Sequence, residues 1–294
     1  MKNILIVGHT SVDNIITPYM EKKNVLGGAA LYSSLSSRIF TDKIKILTAI
    51  GKDFPDGYKH VLQRIDGKIV ISEKSTTSFT IEYDETWHAS YDEGKTVHGA
   101  GEEINPELIP EKVWDETAII HIATMPPKQQ ERFKEEAMRR GIITSLDTYT
   151  GYIKKHKREV LDLIEDIDIL WPNKEEAFLL TEIKDPIKSS AFLKENFHLK
   201  IVCVKQEGEG ACICYDNKIK KVDAFKTKIQ DPTGAGDCTS GGFLPIFIRT
   251  KDPLRSLVYG MAVASRKIQN FGADSLLKIK RKEIESLVNT RFNP

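Results

Sequence analysis

The sequence predicts an α/β protein: a doubly wound, mostly parallel sheet flanked by helices, with a small antiparallel β lid. Three observations predict it. Short β-branched apolar runs recur at residues 4–7, 44–50, 118–122, 142–146, 167–171 and 201–204, and such runs suit strands buried on both faces of a parallel sheet. Helix-like stretches lie between them at 29–40, 56–65, 128–140, 154–164 and 174–180, and the C-terminal third adds 235–248, 254–269 and 282–288. Strand and helix therefore alternate, as in βαβ units. The third observation is a break in that rhythm. Residues 78–83 and 87–91 alternate polar and apolar side chains, with Asp84-Glu85-Thr86 as a turn between them. A second half-exposed segment covers 15–25. We read these as lid segments, approximately 13–26 and 76–100, inserted in a single domain spanning 1–294. The sequence contains no internal repeat, low-complexity tract or linker.

Composition narrows the functional classes. Lys plus Arg number 43 and Asp plus Glu 42, a formal charge of +1. That balance argues against a dedicated nucleic-acid binder and against a polybasic membrane anchor. No apolar run approaches the ~20 residues that cross a bilayer. The N-terminal Met1-Lys2-Asn3-Ile4-Leu5-Ile6-Val7-Gly8 breaks too soon for a signal peptide. Cys203, Cys212, Cys214 and Cys238 form no CxxC pair, and Cys212 and Cys214 alternate as on one strand face. A disulfide framework or thiolate zinc site is not expected, and a reducing cytoplasm is the natural compartment. The seven histidines show no metal-binding spacing.

The most informative stretch is Asp231-Pro232-Thr233-Gly234-Ala235-Gly236-Asp237, followed by Cys238-Thr239-Ser240-Gly241-Gly242-Phe243-Leu244. Small residues at 234–236 let the backbone turn tightly and bare its N–H groups at the start of an apolar helix. Helix N-termini of that kind bind phosphate. An Asp just beyond would repel phosphate, but it is well placed to take a proton from a hydroxyl attacking that phosphate. The pattern suggests phosphoryl transfer. By local physics alone it equally fits a plain loop and helix, with Asp237 in a first turn where acids are favoured. Gly8-His9-Thr10 after the first strand lacks GxGxxG, which weakens a dinucleotide-binding oxidoreductase.

Residues 231–244 resemble the C-terminal signature of the ribokinase-like (PfkB) carbohydrate kinase family: an acid, Thr, Gly-Ala-Gly, Asp, then a small-residue helix start. Further family-like features follow in order along nearly the whole chain. They are Gly8 to Asp13, Gly27-Gly28, Gly51-Lys52-Asp53, Asp147, Asn173 with Glu176, and Gly210-Ala211. Residues 27–32 most resemble sugar kinases of unassigned specificity and archaeal inositol kinases.

The resemblance implies an ATP-dependent phosphotransferase that moves the γ-phosphoryl group to a hydroxyl of a sugar, polyol or nucleoside. Asp237 would be the base, and the amides of Gly234, Ala235 and Gly236 the anion hole. Asp231 and the Thr233 carbonyl match positions where many members hold a monovalent cation, K+, and Pro232 replaces the more usual Thr. Asn173 and Glu176 match N-x-x-E, which supports the Mg²⁺ of Mg-ATP through water, with Asn173 on the nucleotide side. Their i, i+3 spacing equally makes a capping box after Trp171-Pro172. Asp13 matches the acid that grips substrate hydroxyls, although Asp13-Asn14 is also turn-like. Gly27 and Gly28 would approach the substrate and hinge the lid, or simply turn into a helix. Tyr32 and Asp147 complete the implied acceptor site, Asp147 at the carboxyl end of a strand where open sheets place ligands.

The chain also departs from the family pattern. The nucleotide-side loop reads Lys205-Gln206-Glu207-Gly208-Glu209-Gly210, with Glu207 where the family has Gly. Lys205, Gly208 and Gly210 are its nucleotide candidates, though alone the run reads as a strand-to-strand turn. Ala29 and Tyr32 stand where ribokinases carry Lys and Asn, which argues against ribose. Asp147-Thr148-Tyr149 keeps the acid of D-x-N but not the Asn. Trp87, His88 and Tyr91 fit either stacking on a substrate or a homodimer surface between lids, and Tyr32 with this aromatic lid would favour a flat base, as in a nucleoside. The alternative to an enzyme is a catalytically silent ligand-binding or regulatory protein on the same scaffold.

Overall fold

The computed structural model describes residues 2–292. The chain begins with β1 (Asn3–Val7), whose five residues are all buried. It then leaves the main sheet for the lid hairpin β2 (Ser11–Thr17) and β3 (Met20–Gly27). It returns through α1 (Ala29–Arg38), β4 (Ile44–Gly51), α2 (Asp56–Leu62) and β5 (Asp66–Ser72). Strands β6 (Thr80–Tyr83) and β7 (Ala89–Tyr91) complete the lid. The doubly wound part resumes with α3 (Glu111–Asp115), β8 (Thr117–Ile122), α4 (Pro127–Arg139), β9 (Ile143–Asp147), α5 (Thr150–Ile164) and β10 (Ile169–Trp171). Helices α6 (Lys174–Thr181) and α7 (Pro186–Asn196) lead to β11 (Ile201–Lys205), β12 (Ala211–Tyr215) and β13 (Lys218–Val222). Three helices close the fold: α8 (Ala235–Thr250), α9 (Pro253–Lys267) and α10 (Arg281–Phe292).

The main sheet has nine strands in the order β13-β12-β11-β10-β9-β8-β1-β4-β5, and the lid has four in the order β3-β2-β6-β7. From β11 to β5 every pairing is parallel; β12 and β13 add antiparallel. One apolar cluster, with Tyr32, Trp171 and Phe243, packs on one face of the sheet. Another, with Trp114 and Phe133, packs on the other. This two-sided burial explains the unbroken apolar strands. The lid keeps a small cluster of its own, Ile15, Val25, Ile81 and Tyr83.

The expected elements are present, with shifted ends. Helix α5 begins at Thr150, four residues before the expected 154. The segment 15–25 belongs to a hairpin of two strands. The edge strands β5 and β13 and the helices α3 and α7 are additions to the expected set. Among the described residues no helix is long and apolar enough to cross a membrane. The four cysteines are buried and unpaired with one another.

Candidate active site

The carboxyl ends of the parallel strands and the start of α8 meet at one edge of the sheet. Gly234 caps α8 with φ +75°, and a Cβ there would lie 2.5 Å from the Tyr32 ring, so only glycine fits. The turn bares the first amides of α8. The Ala235 amide, expected among the anion donors, instead donates to the Pro232 carbonyl at 3.0 Å. The Gly234 and Gly236 amides show no backbone acceptor among the described residues, which leaves them to meet an anion. Helix α1 fixes the α8 start: Ser33 Oγ donates to the Asp237 carbonyl at 3.1 Å, and Ser37 Oγ to that of Gly241 at 2.6 Å.

Asp237 lies in the first turn of α8 and is half-buried. Burial, and then the charge of Asp147, push its carboxyl up to about 6, against the pull of Lys205 and His121. Asp147, expected to grip an acceptor, is 1% exposed and already engaged. Its Oδ1 accepts from Lys205 Nζ at 2.5 Å and its Oδ2 from Ser240 Oγ at 3.2 Å, with His121 Nε2 3.5 Å away. Burial alone would raise Asp147, but the Lys205 ammonium and His121 outweigh it and hold the carboxyl at about 2. Asp147 therefore orients Lys205. The ammonium is held in its charged form, its own burial outweighed by Asp147 and Glu176. It lies 3.1 Å from where a Cβ on Gly236 would sit, beside the bared amides.

Asn173 and Glu176 form a complete capping box on α6. Asn173 Oδ1 accepts from the Glu176 amide, and Glu176 Oε2 from the Asn173 amide, both at 2.8 Å. Thr148 Oγ also donates to that Glu176 oxygen at 2.9 Å. Burial raises Glu176 to about 7, with Lys205 pulling the other way, so the cap stands next to the Lys205 charge. Gly208 and Gly210 lie in the turn that joins β11 to β12, beyond Lys205. Glu207 takes φ +50°, the left-handed backbone that glycine usually supplies.

On the lid side, Asp13 is 2% exposed. Its Oδ2 accepts from Ser11 Oγ at 2.9 Å and its Oδ1 from the Phe79 amide at 3.0 Å. A Cβ on Gly27 would lie 2.3 Å from that Oδ2, so Gly27 makes room for the carboxyl; Gly28 follows as the N-cap of α1. Phe79 contacts His9, Tyr91 and His98, ring centroids 6.5, 6.3 and 6.5 Å apart. Tyr91 meets Tyr149 edge to face at 5.2 Å, so the residue that departs from the D-x-N pattern is a lid contact. Tyr83 Oη and Thr233 Oγ1 lie 2.9 Å apart, joining the lid to the loop before α8. Asp53 anchors the lid's return, its Oδ1 accepting from the amide and hydroxyl of Thr76 at 2.8 and 2.7 Å.

Tyr32, expected at the acceptor, is 1% exposed and lies beneath Gly234. Its ring is 5.0 Å from the ammonium of Lys267, which reaches the Asp231 carboxylate and the Thr233 carbonyl from the end of α9.

A family model described as "pfkB family carbohydrate kinase" matches residues 1–280. The chain belongs to this family. Among curated relatives, the kinase is 27% identical over 279 residues to a cytidine kinase of Thermococcus kodakarensis, covering 92% of this chain and 98% of the relative. It is 26% identical over 319 residues to a nucleoside kinase of Methanocaldococcus jannaschii, covering 99% of each. Among solved structures, an E. coli protein provisionally assigned as ribokinase II, crystallised with ATP and Mg²⁺, superposes with a TM-score of 0.79 at 20% identity. That match covers 99% of this chain and all of the other, and it shows the shared fold.

Several residues of the kinase's site escaped the sequence reading. His121 is fully buried between Ser145 Oγ at 2.9 Å and Ser240 Oγ at 3.3 Å, behind Asp147. A histidine inside an otherwise apolar strand run was the available signal. Lys267 was hidden in a basic helix end, and its signal was phase: it follows Gly260 and Val263 at i+7 and i+4 on a buried face.

Asp13 gives a pH prediction. Burial, only partly offset by its two hydrogen bonds, raises its carboxyl from 3.8 to about 7. Between those values the folded chain holds a proton that the unfolded chain has released, so this group's contribution to stability falls as pH rises. Asp13→Asn removes that titration. The variant is expected to gain melting temperature relative to the parent at pH 8 compared with pH 5. An equal difference at both pH values would show that Asp13 is not a strained buried acid.

Proposed function

We propose that the kinase transfers the γ-phosphoryl group of Mg-ATP to a hydroxyl of a nucleoside. The observation that carries the transfer is the meeting of Asp237 with the Gly234 and Gly236 amides and Lys205 at one sheet edge. Asp237 takes the proton of the acceptor hydroxyl as its oxygen attacks the γ-phosphorus and the bond to the β-phosphate oxygen breaks, releasing ADP. Lys205 and the amides meet the charge that develops on the transferring group. A preorganised donor of this kind contributes ~3 kcal/mol to barrier lowering. The oxygen donors of Glu176 and Asn173 suit a hard cation that keeps most of its waters. Mg-ATP, when bound, would supply the transferable group together with a cation that offsets its phosphate charge.

The acceptor class follows from the lid. Asp13 has carboxylate lone pairs for ribose hydroxyls. Phe79, whose amide holds Asp13, belongs to an aromatic group with His9, Tyr91 and His98 that suits a flat base. The cytidine kinase and nucleoside kinase relatives support the same class. The test is ADP release from Mg-ATP with a panel of nucleosides, pentoses, hexoses and inositol. Nucleosides are expected to turn over at least tenfold faster, in kcat/KM, than any free sugar or polyol. Turnover of sugars or inositol alone would overturn the acceptor class and leave the transfer standing. No release above background with any acceptor would favour the silent scaffold.

A further inference from the structure

The donors expected to hold a monovalent cation are already filled. Lys267 and Asp231 are both 0% exposed. Asp231 Oδ1 accepts from the Thr233 amide at 2.9 Å. Its Oδ2 accepts from Lys267 Nζ at 2.9 Å and from the Gly272 amide at 3.4 Å. The same ammonium donates to the Asp231 carbonyl at 3.1 Å and to the Thr233 carbonyl. An ammonium has three N–H donors, and here three acceptors meet them. The Tyr32 ring lies 5.0 Å away. A potassium ion would need the same oxygens and would stand beside a like charge in a site closed to water, which is strongly disfavoured. The residues present do not fit the ion.

We infer that Lys267 is a tethered internal cation that takes the place of a monovalent metal ion, so that the activity does not depend on K+. The inference rests on the phosphotransfer reading. Lys267 touches no reacting atom; it is a positioning residue. Its ammonium pins the carbonyls of Asp231 and Thr233, and thereby sets the turn at Gly234 from which the α8 amides point. It also adds a fixed positive charge behind those amides. Asp231 and Thr233 alone would suggest the ion; Lys267, from another helix, displaces it.

The experiment compares the wild type with Lys267→Ala and the closer-sized Lys267→Met in KCl, NH4Cl and tetramethylammonium chloride at equal ionic strength. Steady-state turnover and melting temperature are both read. The wild type is expected to vary less than twofold in turnover and to melt at one temperature in all three salts. Lys267→Ala is expected to lose at least tenfold in tetramethylammonium chloride, to regain most of that in KCl or NH4Cl, and to melt higher in those two salts. Wild-type turnover that rises tenfold with KCl, or wild-type melting raised by KCl, would overturn the inference even if neither variant folds. So would variants that fold and keep full activity without K+. If no acceptor is ever found, the phosphotransfer reading fails, whereas the melting comparison still decides whether a small cation occupies the cavity left by Lys267.

Discussion

Asp237→Asn is expected to fold like the wild type and to lose about two to four orders of magnitude in kcat, the usual worth of a positioned general base. The substitution keeps shape and removes only the basic oxygen. The hydrogen bonds seen at this residue run to its carbonyl, from Ser33 and Ser240, so the helix start does not depend on the carboxylate. Burial and the neighbouring Asp147 charge hold the carboxyl up, at about 6. Its ionised form is therefore the costly one in the folded state, and the amide is expected to be neutral or slightly stabilising above pH 6. The same value predicts that wild-type kcat/KM climbs as pH passes 6 and then levels, as Asp237 loses its proton. The Mg-ATP dissociation constant of the variant is expected to stay within a few-fold, because the amides and Lys205 are untouched. Calorimetric titration and initial rates measure these quantities. Turnover within tenfold of wild type, with an unshifted acid limb, would remove Asp237 from the role of base.

The parallel strands and the α8 start were legible because burial on both faces leaves a continuous apolar record, and because a bare-amide turn demands small residues. The edge strand β5 escaped because only one side of it is paired and most of its residues reach solvent. Helix α7 carried a readable start, with Asp185 accepting from the amides at 187 and 188 and Pro186 in its first turn, but its weak apolar periodicity hid it. At the site, local sequence placed Gly234, Gly236 and Asp237 well, since they are consecutive. It did less well wherever a role depends on a partner far along the chain. Asp147 was legible as an acid at a strand end, but that Lys205, 58 residues away, would engage it was not. Tyr32 was legible as an aromatic near a glycine turn. Its burial under Gly234 and over Lys267 follows from the packing of α1 against α8, which in turn packs on α9, and no local pattern records this.

Lys205→Met is expected to be the most damaging substitution for stability and activity together. The Lys205 side chain is 18% exposed and that of Asp147 2%, so the pair is nearly water-free. Removing the ammonium leaves a buried carboxylate facing only His121 and Ser240, and breaking a buried pair in this way typically costs about 3–5 kcal/mol. In the wild type the Asp147 carboxyl, held at about 2, adds stability that is full above its unfolded value of 3.8 and is lost as pH falls toward 2. In the variant, burial acts without the Lys205 charge against it, and Asp147 takes up a proton at higher pH. The deficit should therefore be larger at pH 8 than at pH 5, which denaturant unfolding at the two values would show. Lys205→Met with Asp147→Asn removes both charges and should recover much of the stability, since a neutral amide needs no counterion. It should not recover turnover, because the charge beside the Gly234 and Gly236 amides is still missing; a loss of ~10²–10³-fold is expected from one such donor. A double variant that regained wild-type rates would mean that Lys205 serves only to neutralise Asp147. Recovery of stability without rate separates the two duties of this lysine, holding the sheet edge together and meeting the transferred phosphate.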